Sequence, residues 1–212
     1  MENTERNMIT VKVEGIEAVQ RKLAGLQRDM RDKVLQPAIN KVAEKTRAEI
    51  NRAIPNEFAV KASEVRSAVD LRRARAGKLE AVITVFGSTR KRGRSLNLIH
   101  FLAAYQALGK AIKTRGAKVK KRDLADLQGQ LGFLIKKAGG IKKIEGAFVG
   151  NKGRTIFRRT GKARLPIEPV QVIGFSQMFA SRKLRDRIMA KINADLPVEV
   201  DRALQMIMAR AS

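Results

Sequence analysis

Apolar positions along this chain switch from strand to helical spacing, back to strand, and then to helix again. Ile9-Thr10-Val11-Lys12-Val13 alternates and predicts a short strand. Glu14-Gly15 opens a helical pattern, with Ile16, Val19, Leu23, Leu26 and Met30 on one narrow stripe. A second helix is predicted from Val34 to about Ile54, with Ile39, Val42, Thr46 and Ile50 facing inward and Pro37 marking its first turn or a kink. Two narrow-striped helices with so short a connection read as an antiparallel hairpin, or as a surface for a partner helix.

Pro55 is expected to end that unit, and a short helix follows at about residues 62–69. Leu79 to Phe86 predicts a strand stopped by Gly87-Ser88. Thr89 to Ser95 is an exposed loop, because its dense positive charge cannot be buried unpaired. Leu96 to Leu102 fits a strand or the start of a helix, and Ala117 to Lys121 alternates weakly. Residues 123–140 read as a local insertion, a short helix with Leu124, Leu127 and Leu131 closed by Gly139-Gly140. Ile144 to Val149 and Thr155 to Arg159 are predicted to pair around a turn at Gly150 to Gly153. Leu165 to Val172 reads as an edge strand, since Pro166 and Pro169 withhold ladder donors. From Ser176 the pattern is helical, with Leu184, Ile188, Ile192 and Leu196 on one face; Pro197 interrupts it, and Val198 to Ala211 forms a last helix.

Segregated elements of this kind indicate an α+β fold: an N-terminal helical hairpin, a central antiparallel β-sheet with basic loops, and C-terminal helices. We read one domain over residues 1–212, with parts at 9–69, 70–175 and 176–212.

Charge changes the picture most. Residues 72–164 hold 25 lysines and arginines against four acids, Glu80, Asp123, Asp126 and Glu145, while the rest of the chain is close to neutral. Self-repulsion of that size opposes compaction unless a polyanion or an acidic surface lies close by. Three clusters carry it: Arg90, Lys91, Arg92 and Arg94; Lys118, Lys120, Lys121 and Arg122; and Arg158, Arg159, Lys162 and Arg164, with Lys152 and Arg154 just ahead. These are the candidate residues facing DNA or an acidic partner. The charge lies on predicted loops and strands, so a helix-turn-helix reader is not favoured. Aromatic residues make up only 4% of the chain, with no Trp and a single Tyr105, which weighs against base-stacking platforms. Contact with nucleic acid is therefore expected at backbone phosphates.

Candidate chemistry is sparse. His100, the only histidine, sits between Ile99 and Phe101 and reads as a partly buried structural residue. Without cysteine there are no disulfides, zinc ribbons or thiol chemistry, and assembly in a reducing cytoplasm is expected. Asp123 and Asp126 share a predicted helical face but look like charge balance for Lys120, Lys121 and Arg122 rather than a metal site. The glycines at 129, 132, 139 and 140 follow no phosphate-loop spacing. The basic run from Ser181 to Arg187 reads as a solvated helix face. No cofactor, metal or catalytic group is expected. The polar N-terminus has no signal-peptide pattern, and the longest apolar-leaning run, Leu96 to Leu108, is too short to span a bilayer. A soluble protein with no membrane partner is expected.

Four motifs then matter in order. Ala38-Ile39-Asn40-Lys41-Val42-Ala43 lies in the second helix, and Leu98-Ile99-His100-Phe101 leads into the central region. Ile144-Glu145-Gly146-Ala147-Phe148-Val149 is followed by Gly153, Ile156-Phe157 and Arg158-Arg159, and Leu165-Pro166-Ile167 precedes the last helices. Together, over about residues 10–200, they resemble the bacteriophage minor tail protein Z family, tail-completion proteins of long, flexible-tailed phages. Asp123 to Gly140 and Ala103 to Lys113 depart from that pattern. The resemblance implies a non-enzymatic virion protein, assembled in the host cytoplasm and placed at the head-proximal end of the tail. There it would finish the tail, join it to the head and accommodate the DNA end. Implied partners are the tail tube or tail terminator protein, head–tail connector proteins, DNA through its phosphates, and further copies in a ring, a hexamer to match the tube. The charge alone also fits a freestanding basic protein that contacts duplex phosphates without sequence specificity.

Overall fold

The computed structural model describes residues 9–10, 28–89, 95–107, 110–113 and 131–211. Two long helices, α1 (Arg28–Glu57) and α4 (Arg182–Ala211), run antiparallel. The order of their cross-links gives the direction: Lys45 meets Glu199, and Glu49, further along α1, meets Arg187, further back on α4. Leu184, Ile188, Ile192, Leu196, Val200 and Ala203 form the buried stripe of α4, at spacings of four and three that keep one face inward. They pack in one core with Val34, Ala38, Val42, Ile50 and Ile54 of α1.

Both helices pass through proline. Pro197 was expected to interrupt the last helix, yet α4 is continuous across it. An interior proline costs about 3 kcal/mol. Leu196 and Val200 are both buried beside it, and burying such side chains contributes about 1.5–3 kcal/mol each, enough to hold the helix on both sides. Pro37 lies well inside α1 rather than in its first turn, because the helix begins at Arg28. Pro55 falls within the last turn of α1. The expected boundary between Met30 and Val34 is helical; the first limb of the hairpin, with Ile16, Val19, Leu23 and Leu26, lies outside the described residues.

Between these helices come α2 (Ala62–Ala68) and a series of short strands. Val69, expected as the end of α2, instead opens β2 (Val69–Arg72), an alternating segment that pairs with β3 (Val82–Val85). β3 in turn pairs with β1 (Ile9–Thr10), so this sheet runs β1-β3-β2. β4 (Ser95–Asn97) gives way to a 3-10 turn (Leu98–Phe101) and then β5 (Leu102–Ala107), so the ambiguous segment is strand, turn and strand in succession. A second sheet has the order β6-β5-β7-β8, with β6 at Lys110–Lys113, β7 at Leu131–Phe133 and β8 at Lys142–Lys143. Leu131 was expected on a helix; it and Phe133 are buried in a strand, where burial on both faces removes the alternation that would mark it. The Asp123–Leu127 part of that segment, and the weak strand at Ala117 to Lys121, lie outside the described residues.

The predicted hairpin is present. β9 (Ala147–Gly150) pairs antiparallel with β10 (Thr155–Arg159), and β11 (Ile167–Pro169) closes the sheet in the order β11-β10-β9. The proline-bearing strand therefore lies at an edge, as expected from its missing donors. It stops at Pro169, and β12 (Gln171–Ile173) leaves to pair with β4. The short helix α3 (Phe175–Phe179) precedes α4. Helices at both ends and small antiparallel sheets between them make the chain α+β, as the sequence indicated.

Candidate functional site

The described part of the basic region centres on β9, β10 and β11. Residues 131–174 contain ten lysines and arginines against Glu145 and Glu168, and all ten cations are exposed. Of the six predicted here, Lys152 and Arg154 lie in the β9–β10 turn, Arg158 and Arg159 at the end of β10, and Lys162 and Arg164 in the loop before β11. Arg154 to Arg159 covers roughly 16 Å at strand rise, so the charges fall in two groups, Lys152 and Arg154 at one end of β10 and the other four at or beyond the other end, instead of converging on one point. Among the described residues, none of the six lies within 4.0 Å of a carboxylate. Such spacing suits an extended anion better than a compact one.

Local geometry explains how the cations are presented. At the turn, Asn151 (φ 49°) and Lys152 (φ 52°) both adopt the left-handed region, and the Arg154 N–H donates back to the carbonyls of Gly150 and Asn151. Asn accepts that backbone readily, whereas lysine carries strain there. At the other end, the Thr160 hydroxyl donates to the Pro166 carbonyl at 3.2 Å and closes the base of the loop that holds Lys162 and Arg164.

Strand alternation separates the two neighbouring arginines. Ile156 is wholly buried against the core, so Arg158 continues the inner face, opposite Glu168 on β11. Thr155, Phe157 and Arg159 point the other way. Phe148 of β9 is the register partner of Phe157, and the two half-buried rings stack at 6.0 Å between centres with 28° between planes. The Arg159 guanidinium lies 5.2 Å from the centre of the Phe148 ring, within cation–π reach. Phe157 in turn covers Gly150, whose backbone leaves no room for a side chain: a β-carbon there would sit 2.7 Å from the ring.

Sequence reasoning missed Phe148 and Phe157. The sequence placed both on paired strands, but a turn of Gly150 to Gly153 would set Val149 opposite Arg154; the observed Gly150–Thr155 pairing is what sets Phe148 opposite Phe157. Lys136, Lys137, Lys142 and Lys143 were also passed over; Lys136 pairs with Glu57 at 3.9 Å. The clusters Arg90, Lys91, Arg92, Arg94 and Lys118, Lys120, Lys121, Arg122 lie outside the described residues.

Other candidate chemistry has structural partners. His100 Nδ1 is 3.1 Å from Glu64 Oε2, tying the 3-10 turn to α2. Burial pushes the Glu64 carboxyl up, but the hydrogen bond and charge of His100, with Lys61, hold it below the usual carboxylate range. Arg182 and Arg185 pair with Asp186, and Arg187 with Glu49, in keeping with a solvated helix face. Among the described residues there is no cluster of metal-ligating groups, and no helix is long and apolar enough to cross a membrane.

No curated protein and no solved structure matches the chain significantly. A family model does, over residues 13–210, which takes in both long helices and the basic sheet: the chain belongs to the family described as prophage minor tail protein Z (GPZ).

Proposed function

We propose that this phage tail protein completes the head-proximal end of the tail, helps join it to the head, and turns its basic sheet toward the DNA in the tail channel. Its family makes it a structural protein of the virion tail. The observation that carries the finer reading is the set of six exposed cations on β10 and the turn and loop at its two ends, none of them in an ion pair among the described residues even though Glu168 stands opposite Arg158. Like charges held that close favour a site where a polyanion is always near. The protein acts without catalysis, assembles in the host cytoplasm as a ring, hexameric like the tube, and touches the tail tube or terminator protein and the head–tail connector proteins. The alternative, a freestanding protein that contacts duplex phosphates, rests on the same cations and on nothing further.

Reversing both arginines, Arg158→Glu with Arg159→Glu, tests the reading. Tails carrying the variant are expected to assemble but fail to join heads or to eject DNA. Normal infectivity would remove this cluster from any role at the DNA. Because the two side chains face opposite sides of the sheet, the single reversals report which face matters.

A further inference from the structure

We infer that the outer face of the β9–β10–β11 sheet is a stacking site for unpaired nucleobases, so that the nucleic acid it takes is single-stranded. This rests on the reading that the basic sheet faces DNA. Of the eight phenylalanines, Phe58, Phe101, Phe133, Phe175 and Phe179 are buried in the core, and Phe86, just after β3, is half-buried. Phe148 and Phe157 lie together, half-buried, on the sheet face that also carries Arg159. Planar groups follow one another along that face, from Phe157 over Gly150, to Phe148, to the Arg159 guanidinium. Lys152 and Arg154 stand at one end of this row, and Lys162 and Arg164 at the other.

Duplex DNA offers phosphates and groove edges but keeps its base faces stacked out of reach. An unpaired strand exposes base faces as well, and aromatic or guanidinium planes set among cations are what hold it. An acidic protein partner would use the same two rings as the apolar centre of its interface, so an acidic polymer is included as a competitor in the test. The low aromatic content of the whole chain argues against a stacking platform only until the aromatics are placed: two rings and one guanidinium on a single sheet face are enough for one or two bases.

The test is fluorescence anisotropy with a labelled 20-nucleotide oligothymidylate (about twice the roughly 10-nucleotide midpoint of single-strand site sizes) and a duplex of equal length at matched salt. It uses the wild-type chain, Phe148→Leu, which keeps apolar volume, and Arg159→Lys, which keeps charge but loses the plane. Thermal melts confirm that each variant is folded. The wild type is expected to bind the oligothymidylate more tightly than the duplex. Phe148→Leu should lose about fivefold or more on the single strand, with duplex binding within about twofold of wild type. Arg159→Lys should shift in the same direction by less. Salt-dependent binding of both forms without preference, or an equal loss on both, would overturn the stacking site while leaving a DNA-facing sheet in place. Binding of neither form would overturn both readings. Displacement of the oligothymidylate by polyglutamate at equal charge concentration would assign the face to an acidic protein and overturn the inference.

Discussion

The side chain of Asn97 holds the backbone of Ile156 at two points: its carbonyl oxygen accepts the Ile156 N–H at 2.8 Å, and its amide donates to the Ile156 carbonyl at 3.3 Å. The same amide donates to the Val170 carbonyl at 3.1 Å, and the oxygen also accepts from the Ile99 N–H at 3.1 Å. One side chain on β4 thereby joins the β4–β12 pair to the basic sheet at the middle of β10. Asn40 does the same for Ala74, accepting its N–H at 2.7 Å and donating to its carbonyl at 3.1 Å, so α1 is joined to the loop after β2. Asn97→Ala strands backbone groups that water reaches poorly and is expected to cost about 2 kcal/mol or more in urea unfolding. A loss under roughly 0.5 kcal/mol, within the range of ordinary surface changes, would mean the junction is held by packing alone.

Gly150→Ala forces a ring to move. The added carbon would meet two carbons of Phe157 at 2.7 and 2.9 Å, so Phe157 must leave its place over Gly150 and its stack with Phe148 must rearrange. We expect a loss of about 1–3 kcal/mol, read as a lower melting temperature, together with weaker single-strand binding. An unchanged melting temperature would show that the stack is not braced on Gly150.

Lys152→Gly separates stability from binding. Relief of about 1 kcal/mol of left-handed strain outweighs the added chain entropy of glycine by roughly 0.5 kcal/mol, so the variant should be slightly more stable. Its affinity for nucleic acid should fall, and the salt slope should shrink by about one phosphate contact. Equal affinity would place Lys152 outside the contact surface.

A pH dependence follows from Glu199, which is only 4% exposed on α4. Lys45 donates to it at 2.6 Å and Arg202 at 3.1 Å, and the Lys45 hydrogen bond holds the carboxyl below its usual value of 4.5 although burial pushes it up. A carboxyl depressed in the folded state stabilises it fully above the unfolded value and loses that stabilisation as pH falls through the folded one. The melting-temperature gap between wild type and Glu199→Gln, which cannot titrate, should therefore hold from pH 7 down to about 4.5 and narrow below it. A gap that stays constant to pH 3 would contradict the assignment.

How much of this was legible depends on what each signal measures. The β9–β10 hairpin could be read because two alternating runs flank glycines at 150 and 153, and the α4 stripe because Leu184, Ile188, Ile192 and Leu196 repeat every four residues. The continuity of α4 could not, since Pro197 is a local signal and the packing that overrides it is not. Leu131 continued the spacing of Leu124 and Leu127, and only its burial in β7 identifies it as strand. In the site, Arg158 and Arg159 are adjacent in sequence and so looked like one feature; alternation sends them to opposite faces. Phe148 and Phe157 were hidden by a composition argument, which counts aromatic residues without saying where they stand.

The central claim is one of position, and cryo-electron microscopy of purified tails tests it most directly. Tails assembled with this protein should show an added ring of density at the head-proximal end of the tube, absent from tails assembled without it, and the latter should not join heads productively. Density at the opposite tip, or tails that lack the protein yet join heads and deliver DNA normally, would contradict the account.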